Sequence, residues 1–215
     1  DVVNFTKNDL KAIHKLYKQT SINQLIIGTL LLLGIWSNIE NVYAFIPDGE
    51  LYINGINVVL FIALGKLSDM AFGVNGEIIV MSNYYRFNVI AISILAILTI
   101  VLNYYLIPLY GIEGAAMASF AAMLSFNLIK FIFVWLKFGL QPFSKKSLLF
   151  LLIIAFTLLG EYLLPAFNHE LLDLVVRSLI ITILLIVPTY YLKGSEECNQ
   201  VLDLVFVKLG LKRTQ

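Results

Sequence analysis

The chain has 215 residues, of which 60% are hydrophobic and 13% charged, and its mean hydropathy is +0.87. A typical soluble domain is roughly half apolar and a quarter charged, so a soluble fold of this length could not bury so much apolar surface. The net charge of +1 comes from basic residues dispersed between apolar segments, which argues against a nucleic-acid-binding face. The composition therefore predicts an integral membrane protein.

Metal and redox chemistry have little support in this sequence. The single cysteine, Cys198, excludes an internal disulfide, and His14 and His169 lie too far apart for metal-ligand spacing. We therefore expect no metal site and no cofactor. The chain begins at Asp1 with a polar, lysine-bearing stretch that is unlike a signal peptide, so we expect it to be a piece of a longer protein.

Apolar stretches of about 20 residues, enough to cross a hydrocarbon core of roughly 30 Å, follow one another along the chain. Six are bounded by Pro, Gly or charge: Ile22 to Ile46, Ile56 to Val80, Phe87 to Ile107, Ile112 to Leu136, Ser147 to Leu164 and Leu172 to Leu192. The sequence therefore predicts an all-α polytopic membrane protein. Its parts would be a cytoplasmic N-terminal segment (1–21), a six-helix transmembrane domain (22–192) and a cytoplasmic amphipathic tail (193–215).

Basic residues outside these stretches lie on one side of the membrane in this topology: Lys7, Lys11, Lys15, Lys18, Arg86, Lys137, Lys145, Lys146, Lys193, Lys208, Lys212 and Arg213. The opposite loops, around Asp48, Tyr110 and Asn168, carry none. The positive-inside rule therefore places both termini in the cytoplasm of a multi-pass cell (inner) membrane protein. The N-terminal segment and the tail, whose apolar residues are Val201, Leu204, Val205 and Leu209, are predicted to be interfacial anchors.

The second apolar stretch carries the charges that bear on function. With Ile56 at the outer boundary, Lys66 lies about 15 Å deep, Asp69 about 20 Å deep, and Glu77 near the inner interface. At about 100° per residue these charges share one helix face, whereas Asn75 points the opposite way and is predicted to pack or cap. Two interpretations stay open: the charges line a water-filled cavity, or Lys66 and Asp69 neutralise each other within the bundle.

Other polar residues in the apolar stretches have simpler interpretations. Lys130 lies near the cytoplasmic end of the fourth stretch and is expected to snorkel to the interface. Asp173 and Arg177 have i,i+4 spacing, and Glu161 is expected to join them in a structural ion pair. Glu40 either lines an outer vestibule or forms structural hydrogen bonds.

The most specific motif runs from Leu102 to Ser119, LNYYLIPLYGIEGAAMAS. The segment from Pro108 to Gly111 predicts a tight helical hairpin. Small residues that follow it predict close helix packing: Gly114, Ala115, Ala118, Ser119 and Ala122. With GKLSDMAFGVNGEIIVMSNYYR before it and FVWLKFGLQPF after it, this motif resembles the C-terminal half of bacterial polysaccharide exporters. These are lipid-linked oligosaccharide flippases of the multidrug/oligosaccharidyl-lipid/polysaccharide exporter superfamily.

The resemblance implies two pseudo-symmetric helical lobes around a central cavity, with this chain supplying the last six helices of a fourteen-helix transporter. It implies a polyprenyl-diphosphate-linked oligosaccharide as substrate, with membrane lipid and polysaccharide assembly proteins as partners. Lys66 and Arg86 would face the diphosphate, while Asp69 and Glu77 would hold or release these cations. Transport would proceed by alternating access, without enzymatic chemistry.

Several alternatives stay open. Within the same superfamily these are a multidrug/cation antiporter and a peptidoglycan lipid-precursor flippase, although a central lysine favours an anionic substrate. A membrane enzyme of polysaccharide assembly would be expected to gather His, Asp or Arg beside a substantial loop, and here His169 stands alone in a short one. A structural membrane subunit predicts that neutralising both Lys66 and Asp69 leaves function intact.

Overall fold

The computed structural model describes residues 7–53, 55–164 and 169–208, and within these ranges all regular structure is helical. The helices are α1 (Lys7–Trp36), α2 (Ile39–Ala44), α3 (Glu50–Ile53), α4 (Ile56–Phe72), α5 (Asn75–Met81), α6 (Tyr85–Phe138), α7 (Lys145–Tyr162), α8 (Glu170–Tyr191) and α9 (Glu196–Lys208). They form two compact units, 1–142 and 143–215. The all-α class predicted from the sequence is therefore confirmed for the described residues.

Several helices are long and apolar enough to cross a membrane. In the described ranges these are Asp9–Trp36, Tyr85–Phe138 and Glu170–Tyr191, and the bent pair α4 and α5 is a fourth candidate if it counts as one broken span. The 18-residue helix α7, which covers most of the predicted span Ser147 to Leu164, holds Lys145, Lys146 and Glu161 and is not among these candidates. The predicted loop around Pro165 and Asn168 lies outside the described residues.

Helix α6 is a helical hairpin, although its hydrogen-bonded turns run on for 54 residues. A straight helix of that length would extend about 80 Å. Instead, the Phe87 ring near its start stacks on the Phe133 ring near its end, with 3.8 Å between centroids. The backbone leaves the helical region at Gly111 (φ 59°, ψ −133°). The hairpin predicted between Pro108 and Gly111 is therefore confirmed, and residues 85–110 and 112–138 run antiparallel.

Helix α4 packs against the second half of α6, and the two run in the same direction. The Phe61 ring lies 6.2 Å from Phe120, and the Phe72 ring lies 5.6 Å from Phe131, so contacts advance together along both helices. A Cβ built on Gly65 would lie 3.6 Å from the Phe120 Cα. The two backbones thus approach closely at this crossing, where a single methyl group would be in van der Waals contact with α6.

The N-terminal part of α1 belongs to the core of the first unit. Tyr17 is fully buried in a cluster with Ile78, Ile79, Val134 and Leu140. Helix α1 continues without a break from Lys7 to Trp36, so it joins the predicted N-terminal segment to most of the predicted first span, whose end forms the separate helix α2. The prediction that this segment is simply an interfacial anchor is therefore wrong, because Tyr17 is held by α5 and α6.

In the second unit, α7 and α8 are joined by the predicted ion pairs. The Arg177 guanidinium donates to both Asp173 oxygens (3.2 and 3.3 Å) and to Glu161 Oε1 (2.9 Å). Helix α9 follows, and Tyr190 Oη donates to Asp203 Oδ1. Apolar residues Val201 and Leu204 are exposed on α9, as a membrane-surface helix requires, while the predicted contributions of Val205 and Leu209 lie outside the described side chains.

Candidate ligand-binding site at a broken helix

The second predicted span is interrupted rather than continuous. Helix α4 ends one residue before Gly73 and α5 begins two residues after it, with 52° between their axes. Gly73 adopts φ 57° and ψ −135°, a conformation that residues with a Cβ rarely tolerate. Ser21 Oγ donates to the Ala71 carbonyl oxygen (2.5 Å), one of the acceptors that a helix end leaves free. The predicted uninterrupted helix from Ile56 to Val80 is therefore wrong, because Gly73 stops it.

We expect Gly73→Ala to lower the free energy of unfolding by about 1–3 kcal/mol, since the new Cβ forces a positive φ on a residue that resists it. That Cβ would also lie 3.3 Å from the Ser21 Cβ. Gly111→Ala separates the two effects, because Gly111 has nearly the same φ and ψ with nothing within 4 Å, so this variant should show the backbone strain without the contact to Ser21. Thermal unfolding in detergent measures both variants, and a Gly73→Ala protein as stable as wild type would contradict this account of the break.

The four predicted substrate-binding residues, Lys66, Asp69, Glu77 and Arg86, are all exposed on the first unit. In the described part of the chain, no ion pair within 4.0 Å joins Lys66 to Asp69. The interpretation of these two as a mutually neutralising buried pair therefore does not hold in this structure. Arg86 lies near the start of α6, where its Nε donates to Tyr85 Oη (3.4 Å).

Lys130, for which the sequence predicted only snorkelling, is the cation that the fold buries. Its side chain lies on α6 and the residue is 7% exposed, with Nζ 4.1 Å from the centroid of the Phe126 ring. A Cβ built on Gly76 would lie 3.4 Å from Nζ, so α5 covers this lysine. The snorkelling prediction is wrong because α5 packs over the position from which the side chain would reach the interface.

Asp69 and Glu77 act electrostatically on the Lys130 ammonium from opposite sides of the break. The fold thus brings two of the four predicted residues near a buried cation that the sequence did not assign to the site. A signal was present in the sequence: Asn127 and Lys130 are three residues apart, which places two polar side chains on one face of an apolar helix.

Two buried asparagines complete this arrangement. Asn75 Nδ2 donates to the Asn127 backbone oxygen (3.4 Å), which agrees with the packing role predicted for Asn75. Asn75 Oδ1 and both polar side-chain atoms of Asn127 have no hydrogen-bond partner in the structure. A buried polar group without a partner costs about 1–3 kcal/mol. We name Asn75, Asn127 and Lys130 the Lys130 cluster. It is a buried polar group in which three side-chain atoms of the two asparagines can still form hydrogen bonds.

The described residues define an all-helical protein whose helices include several that are long and apolar enough to span a membrane, with a buried polar cluster beside a broken helix. In comparisons with protein-family models, with curated proteins and with solved structures, no match was found. The function must therefore be argued from the chemistry of the chain itself.

Proposed function

We propose that this chain is part of a membrane transporter that flips polyprenyl-diphosphate-linked oligosaccharide across the cytoplasmic membrane for surface polysaccharide biosynthesis. The observation that carries the proposal is the broken helix α4–α5, an apolar span that has Lys66 and Asp69 before the break and Glu77 after it. Discontinuous helices of this kind form substrate and ion sites in many transporters. A membrane protein with only a structural role has no evident need for such a break.

The proposed topology has six crossings: α1, the α4–α5 pair, the two halves of α6, α7 and α8. Contacts in the first unit support the required alternation of direction. Ser21 on α1 bonds Ala71, and a Cβ on Gly28 would meet the side chain of Leu67, so α1 and α4 run antiparallel. The halves of α6 are antiparallel to each other, and the second half is parallel to α4. Both termini are proposed to be cytoplasmic, following the distribution of basic residues.

The proposed substrate is anionic because the first unit places cations, rather than carboxylates alone, beside the break. Lys66 and Arg86 are exposed and would meet the diphosphate, with Asp69 and Glu77 as exchangeable partners. A cationic drug would be repelled by the buried Lys130 ammonium, which disfavours the multidrug antiporter. The sugar head would cross through a water-filled cavity while the lipid tail stays in the bilayer, and no bond would be made or broken.

The proposal predicts that Lys66→Ala reduces surface polysaccharide export by roughly tenfold or more, because a charge-assisted hydrogen bond contributes about 1.5–3 kcal/mol. The measurement uses a strain lacking the full-length protein, complemented with wild type or variant at matched membrane abundance. Lipid-linked sugar should accumulate on the cytoplasmic leaflet.

Lys137→Ala is the matched control for this export measurement, since Lys137 is an exposed lysine near the end of α6. Its loss should leave export near the wild-type level. Lys66→Arg, which keeps the positive charge, should retain most of the export. Unchanged export by Lys66→Ala would remove Lys66 from the transport path.

A further inference from the structure

Lys130 is a buried cation that forms no ion pair within 4.0 Å in the described part of the chain, although Asp69 and Glu77 attract it from a greater distance. Its side chain is almost entirely enclosed, and no carboxylate lies within ion-pair distance of Nζ. The Phe126 ring face attracts the ammonium, but this attraction offsets only part of the cost of removing the charge from water. Buried charges in proteins are normally paired, so an anionic group is the expected missing partner.

The atoms around Nζ are suited to hydrogen bonding with such a group. Asn127 lies one turn before Lys130 on the same face of α6, and its Nδ2 has no acceptor. Asn75 Oδ1 is likewise buried without a donor. On the α5 side, Gly76 lies over Nζ and has no side chain of its own, since a Cβ built there would lie 3.4 Å from the ammonium.

We propose that the Lys130 cluster binds a phosphate group, with Lys130 as the counter-charge and Asn127 Nδ2 as a second donor. Phosphate oxygens accept from both groups, and a protonated phosphate oxygen donates to Asn75 Oδ1. The proposed binding of phosphate rests on the proposed function, because the lipid-linked diphosphate of that function is the natural ligand. It assigns the diphosphate a buried contact in addition to the exposed Lys66 and Arg86.

Asp69 and Glu77 make such binding reversible. Both carboxylates attract the Lys130 ammonium, one from α4 and the other from α5, yet neither forms an ion pair with it. Because Gly73 separates the two helices, a change of angle at the break alters how closely either carboxylate approaches Lys130. A bound phosphate therefore competes with these carboxylates, and its affinity depends on that angle.

Inorganic diphosphate is the probe for this site, added to the chain purified in maltoside detergent, which contains no phosphate. We expect diphosphate to raise the unfolding temperature of wild type and to have no effect on Lys130→Met. Without diphosphate, Lys130→Met should unfold about 2–4 °C above wild type, because it removes a buried charge that has no ion-pair partner and keeps the side-chain volume. Greater stability combined with lost binding distinguishes a ligand site from a structural lysine.

Two further variants sharpen this test. Lys137→Met, an equal charge change at an exposed lysine on the same helix, should keep the full response to diphosphate. Gly76→Ala places a methyl 3.4 Å from Nζ and should weaken diphosphate binding several-fold while leaving the charge in place. Gly76→Ala also keeps the proposal testable if Lys130→Met does not fold.

Three results would each overturn the proposal. Wild type and Lys130→Met could respond equally to diphosphate, wild type could show no response, or Lys130→Met could be less stable than wild type without ligand.

Mixed micelles containing phosphatidylglycerol distinguish a lipid headgroup from a soluble phosphate. If the headgroup occupies the cluster, this lipid stabilises wild type but not Lys130→Met, and added diphosphate then has little further effect. If a soluble or substrate phosphate is required, the diphosphate response survives in the lipid. Binding is measured on the purified chain and export is measured in cells, so the two proposals can fail separately. If the chain binds diphosphate but the full-length protein exports no oligosaccharide, the phosphate site stands and the proposed flippase function is wrong.

Discussion

Arg177→Met is expected to lower the free energy of unfolding by about 3–5 kcal/mol, the usual cost of removing one partner from a buried ion pair. The Arg177 side chain is 14% exposed and holds Asp173 and Glu161, whose side chains are 7% and 22% exposed. Without the guanidinium, two carboxylates remain close together with little water to solvate them. Partial protonation of one carboxylate moderates the loss, which thermal and denaturant unfolding in detergent will measure.

The control for Arg177→Met is Lys146→Met, which breaks the pair between Lys146 and Glu196. Those side chains are 3.8 Å apart and 44% and 69% exposed, so the expected cost is below about 1 kcal/mol. The triple replacement of Arg177 with Met and of Asp173 and Glu161 with Leu should recover most of the lost stability, because no buried charge remains. An Arg177→Met protein no less stable than Lys146→Met would show that the triad does not hold α7 to α8.

Gly114→Ala is expected to disrupt the α6 hairpin at a cost of about 3 kcal/mol or more. The new Cβ would overlap the Leu106 carbonyl oxygen and lie 2.5 Å from its carbon, and both are backbone atoms. A flexible side chain could rotate away from such a contact, whereas Leu106 can withdraw only if the hairpin opens. The loss should appear as a lower unfolding temperature and lower abundance in the membrane.

Cross-linking tests whether the hairpin itself is affected. In a Cys198→Ser background, Phe87→Cys and Phe133→Cys replace the two phenylalanines whose ring centroids lie 3.8 Å apart. A short thiol cross-linker should therefore join the two new cysteines. Adding Gly114→Ala should abolish most of this cross-link. Gly34→Ala is the control, because its Cβ meets nothing within 4 Å on α1 and should leave both stability and cross-linking intact. Efficient cross-linking in the Gly114→Ala protein would contradict the expected clash.

The sequence predicted those features that depend on local spacing. The i,i+4 separation of Asp173 and Arg177 is sufficient to bring a carboxylate to a guanidinium on any helix, and the pair forms as expected. The small-residue face after the hairpin is likewise local in origin. Gly114, Ala118 and Ala122 recur every four residues and are buried, whereas Ser119, one position off that row, is exposed.

The candidate site was only partly predictable. Asp69 and Glu77 are predictable from the sequence as candidate site residues because charge in an apolar helix is costly wherever that helix packs. Lys130 is not predictable in this way, because a lysine near a predicted helix end normally reaches water, and only a covering element prevents this. That element is α5, whose course after the break depends on the backbone angles of Gly73 and on the packing of Ile78 and Ile79 around Tyr17.

By itself, the sequence determined the helical class, the apolar stretches, the turn of the α6 hairpin and the ion pairs of the second unit, because composition, period and short spacings act within a few residues. The tertiary structure alone decided that α4 and α5 separate at Gly73, that Tyr17 enters the core and that Lys130 is enclosed without an ion pair among the described residues. Each of these outcomes depends on contacts between residues far apart in the chain, and short spacings in the sequence do not predict which distant residues will be in contact.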